Sequence, residues 1–443
     1  MRISVVGTGY VGLVSGVCLS HVGHDVTCID IDQTKVDMIN RGEPPIYEVG
    51  LEDMLKDLVG KKLNATTDFD TAVRSSDLSL IAVGTPFDGQ EIDLQYIRQV
   101  ARQIGKVLKT KDSYHTVIVK STVVPGTTEE VVLPILEETS GKTAGKDFGV
   151  GMNPEFLKEG EAIDDFMHPD RIVLGGIDDR SIDALAELYA SFPDTDKIRT
   201  SPRTAEMIKY TANSLLATLI SFSNEIGNLC TSIGGVDVTE VMEGVHLDKR
   251  FSPILEQGRV RPSSLSYIEA GCGFGGSCFP KDVKALITYG KGKAQPMSVL
   301  DAVIKTNQAQ PARMVEMAKR HYSSLKGTKV ALLGLAFKPG TDDIRESASL
   351  AVIDQLQAEG AVITAFDPIA QEETEKHLGP NVIAYAETVE ACVKDADVVM
   401  LMTSWPEFHD LPKLLEGRDT LLIDGRRMIP RDAVQRYEGI GLS

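Results

Sequence analysis

The chain has 443 residues, more than one hydrophobic core usually organises, and this length predicts two or three domains. Its composition, 42% hydrophobic and 25% charged, is typical of a globular protein. A formal net charge of −18 argues against nucleic acid as a partner, because nucleic-acid binding needs a basic surface. No apolar run reaches membrane-spanning length and no signal segment precedes the first strand-like run, so we expect a cytoplasmic protein with no membrane partner.

The cysteines lack the spacing of a metal site or of a disulfide framework. We therefore expect reduced thiols and no bound metal. The six positions are Cys18, Cys28, Cys230, Cys272, Cys278 and Cys392.

The first thirty residues predict a dinucleotide-binding βαβ unit. A buried strand over 2–6 runs into Gly7-Thr8-Gly9-Tyr10-Val11-Gly12, a helix follows to about His21, and a second strand ends in Asp30. Gly7 permits the turn, Gly9 admits a pyrophosphate and Gly12 lets the helix pack on the strand. Asp30 favours NAD over NADP because it repels a 2′-phosphate, although the nearby Lys35 leaves that preference open.

Two further strands are predicted over 78–83 and 116–120, followed by Gly84-Thr85-Pro86 and by a turn over 121–126. Turns at the carboxyl ends of parallel strands line the ligand crevice of a doubly wound sheet. Beyond them, Glu155 and Glu159 are four residues apart and would share one face of a helical turn. A solvated acidic face explains that spacing equally well.

A long helix is predicted over about 203–233, where apolar residues recur at helical spacing. Lys209 and Asn213 are four apart and fall on one face of this helix. Exposed residues of these types on a helix usually have no special role. A helix of this length is suited to join two α/β units and to form a dimer surface.

The segment Gly271-Cys272-Gly273-Phe274-Gly275-Gly276-Ser277-Cys278-Phe279-Pro280-Lys281-Asp282 is the strongest candidate for chemistry. Its four glycines permit sharp turns and close approach to a ligand, and Pro280 favours the first position of a helix. Cys278 then precedes a helix N-terminus beside Lys281, and both features favour thiolate. A small buried cysteine is the alternative, but the context favours Cys278 as a nucleophile.

The first pattern then returns. Strands are predicted over 329–335, 362–368, 397–402 and 420–424, which indicates an internal repeat of the α/β unit. The repeat lacks the three glycines, so a different nucleotide is expected there. Lys338, Arg345 and Arg426 follow the predicted strands, where phosphates are usually bound.

Together these features resemble the UDP-glucose/GDP-mannose dehydrogenase family, through Cys278-Phe279-Pro280-Lys281-Asp282 following a nucleotide-binding fingerprint. The resemblance covers essentially the whole chain. It implies an α/β protein with two Rossmann-like, doubly wound parallel-sheet domains joined by a central helical dimerisation region. The implied divisions are an NAD-binding domain over 1–200, a helical domain carrying the cysteine over 201–310 and a UDP-sugar domain over 311–443.

The resemblance also implies roles for residues at matching positions. The implied catalytic residues are Cys278, Lys209, Asn213, Asp282, Glu155 and Thr122. The implied NAD contacts are Gly7, Gly9, Tyr10, Val11, Gly12, Asp30, Lys35, Thr85, Pro86, Thr122, Glu159, Lys281 and Arg345. The implied substrate contacts are Glu155, Phe156, Leu157, Lys158, Lys209, Asn213, Tyr267, Gly271, Gly273, Phe274, Gly275, Phe337, Lys338 and Arg426.

The implied activity is a two-step, NAD-dependent oxidation of UDP-glucose to UDP-glucuronate, in which Cys278 holds an aldehyde and then a thioester. The same chemistry on GDP-mannose or a UDP-N-acetylhexosamine is the nearest alternative, and the Glu155–Gly160 context favours UDP-glucose. A nucleotide-sugar sensor without turnover would require a missing catalytic residue, and none is missing. A homodimer is the implied assembly.

Two positions stay open. Short family members carry an arginine that reaches the substrate across the dimer, but the matching position here is Pro262, with Arg259 and Arg261 beside it. Cys272 either pairs transiently with Cys278 or is an incidental small residue, and the second interpretation is favoured.

Overall fold

The computed structural model describes residues 1–442, which divide into two compact units, Met1–Ala212 and the part of the chain from Asn213 onward. Each unit contains a Rossmann-like sheet, and helices dominate the sequence between the two sheets, so the predicted fold class is confirmed. Within residues 1–442, none of the helices combines the length and the apolar character needed to cross a membrane.

The first unit contains eight strands: β1 (Arg2–Val6), β2 (Asp25–Ile29), β3 (Leu63–Thr66), β4 (Leu78–Ile81), β5 (Thr116–Val119), β6 (Gly149–Met152), β7 (Arg171–Gly176) and β8 (Asp196–Thr200). They form one sheet in the order β3-β2-β1-β4-β5-β6-β7-β8. Neighbouring strands pair in parallel, except for the antiparallel pair β6 and β7. From β1 the strand order runs to β3 on one side and from β4 to β8 on the other, so the order reverses between β1 and β4. Doubly wound sheets bind their ligands at this point.

The central strands are apolar on both faces because helices cover the sheet on both sides. In β5, Val117 and Val119 pack into one core cluster, whereas Ile118 packs into the other. This alternation is the period of two expected of a strand. The helices of this unit are α1 (Tyr10–His21), α2 (Gln33–Asn40), α3 (Leu51–Leu58), α4 (Phe69–Ser75), α5 (Gln95–Leu108), α6 (Leu133–Ser140), α7 (Ala162–Met167) and α8 (Asp179–Leu188), with a π-helical turn at Thr128–Val132.

The long helix α9 (Pro202–Ile233) confirms the helix predicted over 203–233, and its residues from Asn213 onward belong to the second unit. Part of its apolar pattern does not enter a core. Leu215, Phe222 and Leu229 are more than half exposed, although Leu215 and Phe222 belong to the periodic apolar set read from the sequence.

The second unit contains a six-stranded parallel sheet and a short hairpin. The strands are β9 (Ile254–Leu255), β10 (Gly258–Arg259), β11 (Lys329–Leu333), β12 (Val362–Phe366), β13 (Ala384–Tyr385), β14 (Val398–Leu401), β15 (Leu421–Asp424) and β16 (Arg436–Gly439). The sheet order is β13-β12-β11-β14-β15-β16, which repeats the order of the first six strands of the chain. The predicted internal repeat is therefore present in the topology.

The helices of the second unit begin with α10 (Val238–His246) and α11 (Phe279–Gly292). They continue as α12 (Ser298–Ala309), α13 (Ala312–His321), α14 (Ala348–Ala358), α15 (Gln371–Leu378), α16 (Val389–Val393) and α17 (Leu411–Leu414), with 3₁₀ turns at Ser263–Tyr267, Pro406–Asp410 and Arg431–Ala433. Helix α11 begins at Phe279 rather than at Pro280, so Cys278 is its N-cap residue and Pro280 lies in the first turn.

Candidate functional site

The glycine-rich turn after β1 has the shape required to hold a pyrophosphate. Gly7 has φ of +97°, and a Cβ at Gly12 would lie 1.9 Å from the carbonyl oxygen of Gly7, so neither position tolerates a side chain. A Cβ at Gly9, by contrast, would meet no protein atom within 4 Å. Helix α1 begins at Tyr10, with Val11 in its first turn, so its amide N–H groups face this open space and favour an anion.

Asp30 follows the carboxyl end of β2 and is tied to the glycine turn. One oxygen accepts hydrogen bonds from the N–H of Thr8 (2.9 Å) and from its hydroxyl (2.5 Å), and the other accepts from the N–H of Asp32 (3.0 Å). Burial acts to raise the pKa of Asp30, but these hydrogen bonds and the charge of Lys35 lower it overall. An ionised carboxylate beside an open glycine turn fits the ribose and pyrophosphate of NAD.

Thr85 and Thr122 lie together at the carboxyl ends of the neighbouring strands β4 and β5. The Thr85 hydroxyl donates to the carbonyl oxygen of Thr122 at 2.7 Å. Pro86 follows Thr85 in the same turn. These three predicted residues therefore belong to one edge of the sheet, the edge that carries the glycine turn.

The segment from Asn153 to Gly160 forms no helical turn, so the argument that Glu155 and Glu159 share a helical face was wrong. Pro154 lacks an N–H group and restricts the residue before it, which favours extended backbone over a helix here. The side chain of Lys158 is engaged with Glu161 and with Asp165, at 3.2 Å from the latter.

A residue that the sequence reading missed, Glu48, joins this segment to the glycine turn. Its carboxylate accepts hydrogen bonds from the N–H groups of Gly160 (2.7 Å) and Ala162 (2.8 Å) and from the Tyr10 hydroxyl. Glu48 is buried although it lies in an irregular segment before α3, and nothing in the local pattern distinguishes it from a surface acid.

A buried ion pair joins Glu155 to the long helix α9. Lys209 Nζ lies 2.9 Å from Glu155 Oε1, and the side chains are 3% and 5% exposed. Glu155 Oε2 accepts a hydrogen bond from the N–H of Leu157 at 2.8 Å. The Phe156 ring centre lies 3.8 Å from the Arg171 guanidinium and 5.5 Å from the Lys209 ammonium. Burial acts to raise the pKa of Glu155, but the adjacent Lys209 lowers it overall. Lys209 is therefore not an exposed helix lysine without a special role, which was the alternative interpretation of the sequence.

Cys278 lies at the N-terminus of α11, half-buried, with its sulfur 3.5 Å from the Ser277 hydroxyl. One turn later, Asp282 is buried and both of its oxygens are engaged. Oδ2 accepts a hydrogen bond from Asn213 Nδ2 at 2.7 Å, and Oδ1 accepts one from Lys281 Nζ at 2.6 Å. Asp282 therefore contacts both Asn213 and Lys281 within the second unit, one helical turn from Cys278.

The glycines before Cys278 allow this segment to lie against the carboxyl-end loops of the second sheet. A Cβ at Gly275 would lie 2.3 Å from the Glu346 carbonyl oxygen, and one at Gly276 would lie 2.8 Å from the Phe337 ring. The Asn307 side chain accepts a hydrogen bond from the Phe274 N–H at 2.8 Å and donates one to the Phe274 carbonyl oxygen at 2.9 Å. On the other side, Gly271 donates to Asn224, Arg426 approaches the Gly273 carbonyl at 3.4 Å, and the Tyr267 ring lies 6.2 Å from that of Phe279.

The second sheet uses its strand-end aspartate differently from the first. Asp367, after β12, is fully buried and accepts hydrogen bonds from the N–H groups of Leu335, Ala336, Ile369 and Ala370 and from the Trp405 indole. These five donors from the loops of the second sheet occupy the carboxylate oxygens of Asp367, so they are not available to a ribose. The different nucleotide expected at this sheet stays a prediction.

The three predicted cations of the second sheet lie in its carboxyl-end loops. Arg426 donates to the Met402 carbonyl at 2.6 Å, Arg345 pairs with Asp343 at 2.7 Å, and Lys338 lies 5.9 Å from the Phe337 ring centre. Lys338 and Arg345 follow β11, and Arg426 follows β15, which is two strands away in the sheet.

The two open positions of the sequence reading have distinct environments. The guanidinium of Arg259 donates to the carbonyl oxygens of Leu247 (2.8 Å) and Ser252 (2.9 Å), whereas Arg261 is exposed. Cys272 is fully buried, its thiol donates to the Met402 carbonyl at 3.5 Å, and burial raises its pKa. This environment disfavours the thiolate that disulfide exchange requires.

Comparisons with known proteins find matches along most of the chain. Models of the UDP-glucose/GDP-mannose dehydrogenase family match in three parts: the NAD-binding domain over residues 1–193, the central domain over 203–309 and the UDP-binding domain over 331–431. The chain is 39% identical to the UDP-glucose 6-dehydrogenase AglM of Haloferax volcanii, covering 99% of this chain and 100% of the relative. It is 42% identical to the GDP-mannose 6-dehydrogenase of Pseudomonas syringae pv. tomato, with coverage of 99% and 100%.

A solved structure extends the likeness to three dimensions. The UDP-glucose dehydrogenase of the hyperthermophilic archaeon Pyrobaculum islandicum is similar with a TM-score of 0.90 and 38% identity, over 100% of this chain and 98% of that one.

The glycine turn yields a test that separates folding from cofactor binding. Gly9→Ala should leave the thermal unfolding temperature unchanged but weaken NAD binding by more than about tenfold, because its Cβ fills only the open space. Gly12→Ala should lower both the thermal unfolding temperature and the affinity for NAD, because its Cβ overlaps the Gly7 carbonyl. Calorimetric titration with NAD and thermal unfolding measure the two effects, with Gly244→Ala in α10 as the control. Normal NAD affinity in Gly9→Ala would contradict the assigned pyrophosphate position.

Proposed function

The chain belongs to the UDP-glucose/GDP-mannose dehydrogenase family, and we propose that it oxidises UDP-glucose to UDP-glucuronate in two successive steps. Membership makes it an NAD-dependent nucleotide-sugar dehydrogenase. The observation that carries the finer proposal is the half-buried Cys278 at the N-terminus of α11, beside Lys281 and the buried pair of Asp282 and Asn213. A thiol in this position is suited to hold an aldehyde covalently between two oxidations.

The choice of sugar rests on the sequence context of Glu155–Gly160. The UDP-glucose and GDP-mannose relatives are about equally similar to this chain, so overall identity does not select between them. GDP-mannose is therefore the second candidate substrate, and a UDP-N-acetylhexosamine is the third.

The Gly7–Gly12 turn would hold NAD, with Asp30 at its ribose, and the bound cofactor would supply the hydride acceptor for each oxidation. Contacts to it are also proposed for Lys35, Thr85, Pro86, Thr122, Glu159, Lys281 and Arg345. Lys209 and Asn213 stabilise the negative charge that develops on the reacting oxygen of the sugar. The thiolate of Cys278 attacks the aldehyde carbon, and the resulting hemithioacetal is oxidised to a thioester.

Hydrolysis of the thioester needs a group that removes a proton from water. We assign this role to Glu155, with Asp282 as the alternative. Glu155 is suited to it because Lys209 holds it ionised and the Leu157 N–H fixes its orientation. The proton taken from water passes to the departing Cys278 sulfur and restores the thiol. The carboxylic acid formed on the sugar loses its own proton to solvent, so the product is released as a carboxylate.

The second sheet is assigned to the nucleotide part of the substrate. Lys338 and Arg426 lie in carboxyl-end loops and supply cations for a diphosphate. The saturated Asp367 explains why this sheet does not reproduce the ribose contact of the first. Further substrate contacts are assigned to Phe156, Leu157, Lys158, Tyr267, Gly271, Gly273, Phe274, Gly275 and Phe337.

The proposed assembly is a cytoplasmic homodimer formed through α9. Leu215, Phe222 and Leu229 are spaced seven residues apart, so they lie along one line of the helix, and all three are more than half exposed. Ile233, at the end of α9, is also mostly exposed. An apolar row of this length on a 32-residue helix is suited to a second copy of the same helix.

The proposed activity predicts two NADH formed per UDP-glucose consumed, and none with GDP-mannose or UDP-N-acetylhexosamines. Cys278→Ser should abolish the second oxidation because a serine hydroxyl is not a thiolate. Absorbance at the NADH band and chromatography of the sugar products measure both. Two NADH from another sugar would retain the cysteine chemistry and overturn the substrate, whereas binding without NADH would indicate a sensor.

The proposed dimer predicts a solution mass of twice the 48.1 kDa chain. Phe222→Asp together with Leu229→Asp should give a monomer, because two carboxylates would be buried without partners. Val299→Asp, at an exposed apolar position of α12, is the control and should stay dimeric. Light scattering after size exclusion measures the mass, and a dimer that survives the α9 double substitution would refute this interface.

A further inference from the structure

Lys120, which follows β5 directly, is a buried cation without a carboxylate partner. It is 4% exposed, and its Nζ donates to Asn153 Oδ1 at 2.8 Å and to the Tyr189 hydroxyl at 3.3 Å. Among the ion pairs within residues 1–442, none includes Lys120. A buried ammonium costs free energy unless it is paired, so this position needs an explanation.

The partners of Lys120 fix its ammonium group firmly. The Tyr189 hydroxyl also donates to Asn153 Oδ1 at 2.6 Å, and Asn153 Nδ2 donates to the Val173 carbonyl at 2.8 Å. Asn153 opens the segment that contains Glu155. Lys120 is therefore anchored by the same irregular segment that carries the proposed water-activating carboxylate.

Lys120 and Glu155 line a common cavity of ≈ 60 Å³, together with Asn153 and Tyr189. One water molecule needs about 10–15 Å³ of such space, so the cavity has room for several. An ammonium has three N–H donors, and two of those of Lys120 have protein partners. The cavity thus offers water a polar wall next to Glu155.

The charged groups around this cavity affect Glu155 at different distances. Glu155 faces two lysines, Lys209 in direct contact and Lys120 through space, and both lower the pKa of its carboxyl. Burial lowers the pKa of Lys120 to about 8, and Glu155 and Lys209 act on it in opposite directions. The other titratable or charged groups around the cavity are Asp165 of α7, Asp170, Arg171 of β7 and Tyr189, whose pKa is raised by burial and by Cys18.

We propose that Lys120 is a positioning residue that adds a second positive charge beside Glu155 and holds the Asn153–Leu157 segment in place for the water-activating step. This inference rests on the proposed role of Glu155 in thioester hydrolysis. Lys120 acts through Glu155 and the cavity water rather than by contact with the sugar.

The chain offers a matched control in Lys111. It is also 4% exposed, and burial lowers its pKa to about 8 as well. Its ammonium, however, donates to the carbonyl oxygens of Val73 and Arg74 at 3.0 Å and to that of Ser76. Lys111 therefore closes the end of α4 and does not line the cavity.

The first experiment measures the coupling of Lys120 to Glu155 without any turnover. Protein labelled with ¹³C at the lysine ε-carbon is titrated by NMR, and the Lys120 signal is assigned from its loss in Lys120→Met. We expect the pKa of Lys120 to fall by about 1 unit in Glu155→Gln, because the carboxylate that raises it is lost. The Lys111 signal, assigned from Lys111→Met, should not move. An unchanged pKa of Lys120 in Glu155→Gln would overturn the proposal.

The second experiment measures the pH dependence of thioester hydrolysis in a single turnover with UDP-glucose and NAD. Hydrolysis slows as Glu155 is protonated. Removing the positive charge of Lys120 raises the pKa of Glu155, so the acid limb of the profile should move about 1 unit to higher pH in Lys120→Met. Lys120→Arg should restore the wild-type limb, and Lys111→Met should leave it in place.

A uniform loss of rate at all pH values in Lys120→Met would show a merely structural role and contradict the proposal. If Lys120→Met does not fold, the signal is assigned with Lys120→Arg, and the titration of wild type against Glu155→Gln decides the question. If no nucleotide sugar is turned over, the proposed function fails, but the NMR titration still reports whether Lys120 and Glu155 are coupled.

Discussion

The buried ion pair between Lys209 and Glu155 is the constraint on which the site in the first unit depends. Two charges at 3% and 5% exposure are stable only when they are paired, so the pair fixes the irregular segment after β6 against helix α9. With Glu155 held in this way, the Leu157 N–H orients its second oxygen and the Phe156 ring lies close to two cations. A carboxylate that is ionised, oriented and next to a cavity with room for water is what activation of water requires.

The two sheets illustrate how one topology is adapted to two ligands. The first six strands of the eight-stranded sheet have the same order as the six strands of the second sheet, and in both sheets the first strand is followed by a glycine of positive φ, Gly7 and Gly334. After the second strand, Asp30 keeps part of its surface and lies beside an open turn, whereas Asp367 is saturated by five donors and fully buried. The difference lies in the local hydrogen bonds rather than in the fold, and it separates a dinucleotide site from a site of another kind.

Much of this arrangement can be predicted from the sequence because local chemistry determines it. Strand β1, helix α1 and helix α9 were placed to within one residue, since glycine turns and long periodic patterns mark their ends. The place of Cys278 just ahead of a helix N-terminus followed from Pro280, although the helix begins one residue earlier than predicted, at Phe279. The UDP-glucose/GDP-mannose dehydrogenase family was confirmed by the family models and the curated relatives. The assigned roles of the site residues and the three-domain division remain predictions.

The rest depends on contacts between residues that are distant in sequence. Strand β8 is mostly exposed and polar at the edge of its sheet, so no apolar run marks it. Glu48 becomes significant only because its carboxylate accepts hydrogen bonds from Tyr10, 38 residues away in sequence, and from Gly160, 112 residues away. Lys120 looks like the polar end of a strand, and only the packed structure shows that it is buried without a carboxylate partner.

We propose that Cys278 carries the sugar as a thioester, which Glu155 helps to hydrolyse. The most direct measurement is mass spectrometry of Glu155→Gln protein that has been mixed with UDP-glucose and NAD and then quenched with acid. We expect an acyl adduct on the peptide containing Cys278 and no such adduct in the double variant that also carries Cys278→Ser. Normal steady-state turnover by Glu155→Gln, with Cys278 unmodified throughout, would contradict it.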